Sequence, residues 1–280
     1  MTFTYILGSG YLSDNLRKKI VSSKLFSAKD FIKNIENINK KKKINLIINS
    51  FYSVNKLNYF NSYKFFINKS IYELSKILDL LNPSIINKII FTSSSSVYGL
   101  ITNHKDAAEY NNRGIYASLK LSVESMIKNF CYKNNVKLSI CRLFNMYGRN
   151  ENFSIINKLN LAKKNKLNLI IYNQGNSIRD FIHVDDVVVI YKNLLKINIF
   201  FKIYDIGIGK GLNIIEIINK VKINKNNIKF EKKKVKEIPL AIADNKDIKK
   251  IFKKKFKSVE SYFRISKKFN YTTNYKKNLI

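Results

Sequence analysis

Met1-Thr-Phe-Thr-Tyr-Ile-Leu7 followed by Gly8-Ser9-Gly10-Tyr11-Leu12-Ser13 decides the fold class, because it reads as strand, glycine turn and helix start. The apolar run has the length of a buried strand, and Leu12, Leu16 and Ile20 then recur at helical spacing. Gly8 and Gly10 permit a tight turn and close approach of backbone to an anion. The N–H groups that open the helix favour a phosphate there. Gly8, Gly10, Tyr11 and Leu12 are therefore candidate binding residues, with Ser13 at a third small-residue position. Two glycines alone also describe a connection that binds nothing.

The same alternation continues along the chain. A second strand is expected near Lys24 to Ser27 and another at Leu46-Ile47-Ile48, which runs into Asn49-Ser50-Phe51-Tyr52. Ile71, Leu74, Ile77, Leu78 and Leu81 stripe a helix that Pro83 stops. Ile89-Ile90-Phe91 is the next strand, and Thr92-Ser-Ser-Ser-Ser-Val-Tyr-Gly99 stands at its carboxyl end. Strand and helix alternate to about residue 145, which implies right-handed crossovers and a parallel sheet, with ligands at the strands' carboxyl ends. After Tyr147-Gly148 the pattern loosens. Val187, Ile190, Tyr191 and Leu194 form a helix that returns to the core, and Asn213 with Glu216 resembles a capping box opening a helix from Ile214 to Val221.

Tyr116-Ala-Ser-Leu-Lys120 places a phenol and an ammonium four residues apart, on one helix face. A tyrosine titrates at about 10 in water, and a neighbouring ammonium is expected to lower that value, so the pair could move a proton to or from a hydroxyl. In a chain with 17 tyrosines and 52 lysines plus arginines the spacing also arises by chance. Its neighbours give it meaning.

Ser93-Ser94-x-x-Val97-Tyr98-Gly99, Tyr116-x-x-x-Lys120, Arg142-Leu-Phe-Asn145-Met-Tyr147-Gly148, Arg179-Asp-Phe-Ile-His-Val-Asp-Asp186 and Tyr204-Asp-Ile-Gly-Ile-Gly-Lys-Gly211 occur in that order. This ordered set resembles the extended short-chain dehydrogenase/reductase family, in its NAD-dependent epimerase/dehydratase branch that acts on nucleotide-sugars. The resemblance runs from residue 1 to about Lys250. It implies an α/β fold: a Rossmann-type doubly wound parallel sheet with a smaller C-terminal substrate-binding lobe. Residues 1–148 with about 179–206 would bind NAD or NADP, and about 149–178 with 207–280 would bind the nucleotide-sugar.

Carried over by position, Ser94 matches the group that hydrogen-bonds the reacting sugar oxygen, Tyr116 the acid/base, and Lys120 the lysine that holds the nicotinamide ribose. Asn145 and Arg179 match substrate contacts, and Lys234 and Glu237 near Pro239 are further candidates. An arginine offers a phosphate a planar fork, and this chain has only six arginines. Internal pairing with Asp180 or Asp186 is the alternative role for Arg179. His183 is read as a structural hydrogen-bonder and His104 as a loop residue.

Departures from the family pattern bound the reading. The chain before Leu46 is short, so one strand–helix unit is expected to be missing or reduced. Ser27-Ala28-Lys29-Asp30 supplies no clear ribose carboxylate: Lys29 could meet a 2′-phosphate, Asp30 a 2′-hydroxyl, or neither. Asn49 is a cofactor-side candidate, and the rings of Phe51 and Tyr52 stand where relatives carry small residues. Ser95 and Ser96 replace the Asp-Glu pair of the family's dehydratases, which argues against dehydration. What remains is hydride transfer at the sugar ring, most often C4. The chain is then an epimerase, or a reductase of nucleotide-4-keto-sugars. A non-catalytic relative that binds nucleic acid or protein through a basic surface is the reading from another class; retention of Ser94, Tyr116 and Lys120 weighs against it.

Composition agrees. The 280 residues are 45% hydrophobic, enough for a large core. No apolar run approaches the ~20 residues of a membrane span, and the N-terminus enters a strand without a charged leader, so a cytoplasmic protein is expected. Cys131 and Cys141 fit neither a metal site nor a disulfide framework and are expected to be reduced, partly buried thiols. The net charge of +33 is spread over the whole chain, so nucleic acid is not the expected partner, while anionic nucleotide-sugars would be drawn to the surface. A homodimer is a possible assembly.

Overall fold

The computed structural model describes residues 2–52, 62–99, 114–165, 168–232 and 238–266. The first half runs β1 (Phe3–Leu7), α1 (Tyr11–Lys19), β2 (Ser23–Phe26), α2 (Ala28–Lys33), α3 (Ile35–Asn39) and β3 (Ile44–Ile48). It continues through α4 (Tyr63–Ile67), a π-helical turn (Asn68–Tyr72), α5 (Glu73–Leu80), β4 (Ile86–Ser94), a 3-10 turn (Ser95–Tyr98), α6 (Ile115–Lys133) and β5 (Lys137–Leu143). The second half holds β6 (Asn145–Tyr147), α7 (Ile155–Asn165), β7 (Leu169–Tyr172), β8 (Ile178–His183), α8 (Val184–Leu194) and β9 (Phe201–Ile206). It ends with β10 (Gly211–Asn213), α9 (Ile214–Val221), β11 (Ile228–Glu231), β12 (Leu240–Ala241), α10 (Lys246–Ile251) and α11 (Val259–Ser266).

Six strands form one parallel sheet in the order β2-β1-β3-β4-β5-β9. The chain leaves β1 toward β2 on one side and returns to β3 on the other, so the strand order reverses between β1 and β3. Ligands bind outside the carboxyl ends at such a switch point. Among the described residues no strand lies outside β2, which is where the shortened N-terminal half shows.

Alternating side chains send apolar groups to both faces of this sheet. Tyr5, Leu7, Leu46, Ile48, Ile89 and Phe91 pack with α2, α3, α5 and α6. Ile6, Ile47 and Ile90 pack on the opposite side with α1, α8 and α10. Burying each such side chain contributes about 1.5–3 kcal/mol. Helix α10 thus joins the sheet's helices, against α8 and β9, although the sequence division put residues 207–280 with the lobe. The apolar Ile248 of α10 and the following Phe252 find their cover in the α8 surface rather than beyond the carboxyl edge.

Strand β5 ends at Leu143, and β6 then pairs with β8 in a smaller sheet with β10 and β12. Tyr147, Ile156, Leu159, Phe181, Ile217 and Phe263 form that lobe's core. Asn213 caps α9 by accepting from the Glu216 N–H at 2.7 Å, as the capping pattern predicts. Both cysteines are free and buried. No described helix is long and apolar enough to cross a membrane. Lys234, Glu237 and His104 lie outside the described residues.

Candidate functional site

A cavity of about 880 Å³ opens along the carboxyl edge of the sheet, between it and the smaller lobe. At one end lies the β1–α1 turn. Gly8 has φ +95°, and a Cβ there would stand 2.5 Å from the Ser50 carbonyl oxygen, so glycine is required for the turn to pass β3. Gly10 has φ +141° and nothing within 4 Å of a Cβ position. It opens α1 without a side-chain cap, which leaves the helix's first N–H groups facing the cavity beside Ser9, Tyr11 and Leu12. Those groups suit a pyrophosphate.

Ser13 and Asn49 brace this end. Asn49 Nδ2 donates to Ser13 Oγ at 2.7 Å, Thr92 Oγ1 donates to Asn49 Oδ1 at 2.5 Å, and Thr92 Oγ1 lies 2.8 Å from Tyr191 Oη. Tyr11 Oη reaches across to the Arg149 carbonyl at 2.8 Å, tying the helix start to the lobe. These residues fit a dinucleotide's diphosphate. Lys29 is exposed and is not among the residues lining the cavity. Asp30 is engaged at the start of α2, where Ser27 Oγ donates to its carboxylate at 2.7 Å and accepts from its N–H at 3.1 Å. Of the two rings that stand where relatives carry small residues, Tyr52 lines the cavity, whereas Phe51 packs on the core of the α2/α5/α6 face.

At the middle of the cavity Ser94, Tyr116 and Lys120 come together. Ser94 is the last residue of β4, and its Oγ accepts from the Ser96 N–H at 3.2 Å and lies 3.0 Å from Ser96 Oγ. Lys120 Nζ donates to the Thr92 carbonyl at 2.7 Å and lies 4.8 Å from the Phe91 ring centroid and 5.9 Å from that of Tyr116. Burial lowers Lys120 to about 7, with Glu124 acting against that fall.

Tyr116 corrects the sequence-based expectation of a lowered phenol. Burial pushes it up to about 12, Tyr52 beside it acts in the same direction, and the Ser94 and Ser50 hydroxyls act against the rise. Desolvation of the phenolate outweighs an ammonium that is turned to a backbone carbonyl. At neutral pH the phenol is protonated.

Beyond the triad the cavity reaches Asn145 and Arg179. Asn145 Nδ2 donates to the Asp180 carbonyl at 3.1 Å, and Arg179 Nη1 to that of Ile178 at 2.9 Å. The Asp180 carboxylate accepts from the N–H groups of Ile208, Gly209 and Ala243, and that of Asp186 from the Lys257 N–H. Both carboxylates named as alternative partners of Arg179 thus take backbone donors. His183 is a helix cap: its Nδ1 accepts from the Asp185 N–H at 3.1 Å, and burial lowers it to about 4.

Sequence reasoning gave no role to Glu124 or to the Arg142 side chain. Arg142 donates to Glu124 Oε2 from Nη2 at 2.7 Å and to Oε1 from Nε at 3.1 Å, and Ser93 Oγ donates to Oε1 at 2.5 Å. The available signal was a glutamate one turn beyond Lys120 and an arginine heading the Arg142-Leu-Phe-Asn motif.

The fold and this cavity define a dinucleotide-binding α/β protein with Ser94, Tyr116 and Lys120 at the centre of its cavity. The chain belongs to the NAD dependent epimerase/dehydratase family, whose model matches residues 27–207. NAD or NADP is accordingly its cofactor class. Protein CapI of Staphylococcus aureus is 31% identical over 135 residues, 47% of this chain and 40% of that one. The dTDP-D-glucose 4,6-dehydratase of Dictyostelium discoideum is 25% identical over 206 residues, 67% of this chain and 46% of that one. The matches thus span less than half the length of these relatives. The UDP-glucose 4-epimerase of Thermotoga maritima, solved with UDP-glucose, has a TM-score of 0.78 at 14% identity, covering 94% of this chain and 97% of that one. At that identity the likeness concerns the fold.

Proposed function

We propose that this chain is an NAD(P)-dependent nucleotide-sugar epimerase acting at C4 of the sugar. The observation that carries the reading is that Ser94, Tyr116 and Lys120 line one cavity with the uncapped start of α1 on one side and Asn145 and Arg179 on the other. The sheet domain (1–148 with about 179–206) then holds the dinucleotide through Gly8, Gly10, Tyr11, Leu12 and Asn49, and the lobe holds the nucleotide-sugar. When bound, the nicotinamide supplies the hydride acceptor and donor. Tyr116 exchanges the proton of the sugar hydroxyl, Ser94 orients that oxygen, and Arg179 and Asn145 anchor the nucleotide so that the ring is presented to Tyr116.

A second reading has its own support. Burial that holds the phenol near 12 disfavours the phenolate that would take a proton from a sugar hydroxyl, and a nucleotide-4-keto-sugar reductase, where Tyr116 only donates, does not need that form. Dehydration is disfavoured because Ser95 and Ser96 supply no carboxyl pair. A panel of nucleotide-sugars and 4-keto nucleotide-sugars decides among these. Interconversion of C4 epimers by a trace of oxidised cofactor, with no net change in nicotinamide absorbance, supports the epimerase. One-to-one consumption of reduced cofactor supports the reductase and refutes the epimerase. Formation of a 4-keto-6-deoxy product refutes both.

A further inference from the structure

Beneath the serine loop lies a buried charged cluster to which the proposed reaction gives no task. Glu124 sits on α6 one turn beyond Lys120, so both side chains project from the same face. Its side chain is 7% exposed and that of Arg142 16%. Arg142, near the end of β5, grips the carboxylate with two donors, and Ser93 of β4 donates to the same Oε1 atom. The guanidinium also lies 4.8 Å from the Tyr98 ring centroid, and Tyr98 Oη donates to Asp205 Oδ1 at 2.6 Å. Ser93 lines the main cavity, and Tyr98 lines a smaller one of about 210 Å³ with Ser94, Ser95, Ser96, Asn145 and Arg179. One carboxylate is therefore tied to both flanks of Ser94 and lies one helical turn from Lys120.

We propose that Glu124 is a positioning residue for the reaction at Tyr116 and Lys120: it anchors the serine loop through Ser93 and Arg142, and its charge favours the ammonium form of the buried Lys120. The inference rests on the reading of Tyr116 and Lys120 as the acid/base pair. Three kinds of observation carry it.

Lys120 is buried, and among the described residues its one hydrogen bond is to a neutral carbonyl, so without a counter-charge its ammonium would be strongly disfavoured. The groups packed round it from the described elements leave that task to Glu124. Strand β4 offers the Thr92 carbonyl and the Phe91 ring, the segment after β3 offers Tyr52, and the π-helical turn offers Lys69, itself paired with Glu73. From α4 the titratable Tyr63 and Lys64 are exposed, from β5 the cation is Arg142, with Lys137 at the strand's start and Cys141 on the opposite face, and the 3-10 turn brings Tyr98. On α6 itself stand Tyr116 and Glu124. The effect of Glu124 on Lys120 is upward, against burial. Finally, a two-point fork from Arg142 fixes the carboxylate's plane, so the Ser93 bond holds the loop in one place.

The test follows the titration of Lys120 by NMR of ε-13C-lysine protein, with the signal assigned by its loss in Lys120→Met. In Glu124→Gln the midpoint is expected to fall by about one unit, the size typical of losing a nearby opposite charge. In Arg142→Gln it is expected to rise, because the carboxylate is released from its fork. Identical midpoints in the parent and Arg142→Gln overturn the proposal even where Glu124→Gln does not fold. Ser93→Ala keeps both charges: it should leave the Lys120 midpoint and cofactor affinity unchanged and reduce turnover several-fold, and parental turnover overturns the loop anchor. The titration needs no substrate. It therefore stays readable if Tyr116→Phe keeps its activity and the acid/base reading falls.

Discussion

Strand β4 has a buried ammonium at each end, and the two differ in what faces them. Lys88, near the strand's start, donates to the carbonyls of Leu194 and Ile197 at the end of α8, the first at 2.7 Å. Burial lowers it to about 8, with Lys137 contributing. Lys120, at the carboxyl end, donates to the Thr92 carbonyl and lines the large cavity. At the first end a helix terminus, with its orphan carbonyls and negative dipole end, completes the cation. At the second the cation is left beside open space and the Tyr116 phenol. Burial of a lysine alone therefore says little about function; the end of a parallel strand at which it is buried says more.

Exchanging each cation for an apolar side chain is the sharpest way to break this contrast. Lys120→Met is expected to lower turnover by about 10²-fold or more, the range for groups that serve acid/base catalysis, and to weaken dinucleotide binding, measured by titration. Lys88→Met should keep turnover per folded molecule and lose about 1–3 kcal/mol in urea unfolding, because two buried carbonyls lose their donor. A Lys88 variant that folds normally yet loses turnover, or a Lys120 variant that keeps it, would erase the distinction.

Arg179→Leu probes the far end of the same cavity. Loss of a charge-assisted hydrogen bond costs about 1.5–3 kcal/mol, so nucleotide-sugar affinity should fall about tenfold or more while dinucleotide affinity holds. Equal loss of both ligands would mean that the cavity is not divided between them as described. The smallest effect concerns His183, away from both ends of β4. Its folded value of about 4 lies below the ordinary 6.5, so between those values the unfolded chain binds more protons. Its contribution to stability is complete above about pH 6.5 and is lost as the pH falls toward 4. His183→Asn, which can still cap α8, should flatten the urea midpoint across that window; an unchanged pH dependence would assign the acid sensitivity elsewhere.

Local signals made much of this legible in the sequence. The strand–glycine–helix start, the serines after β4 and the Tyr116/Lys120 spacing are each contained within a few residues, and their order along the chain carried the fold class. What escaped depends on distant partners. Glu124 and Arg142 are 18 positions apart on different elements, and Lys88 meets a helix end more than a hundred residues later. The direction of the Tyr116 shift differs from the sequence reading because its burial comes partly from Tyr52, in the segment after β3 and far away in the chain. Asp30, a candidate for ribose recognition, is taken up by the Ser27 cap, which spacing alone did not separate from a ligand role. Helix α10 was placed with the lobe because its short amphipathic pattern does not say which surface it covers.

In the proposed reaction the carboxyl end of β4 is where the chemistry happens, and Tyr116 moves the proton. Turnover of Tyr116→Phe on the nucleotide-sugar that the parent converts, with dinucleotide affinity measured on the same preparation, tests it most directly. A fall of about 10²- to 10⁴-fold at essentially unchanged cofactor affinity is expected, since only the phenol oxygen is removed; turnover within about a factor of two of the parent would overturn the role of Tyr116.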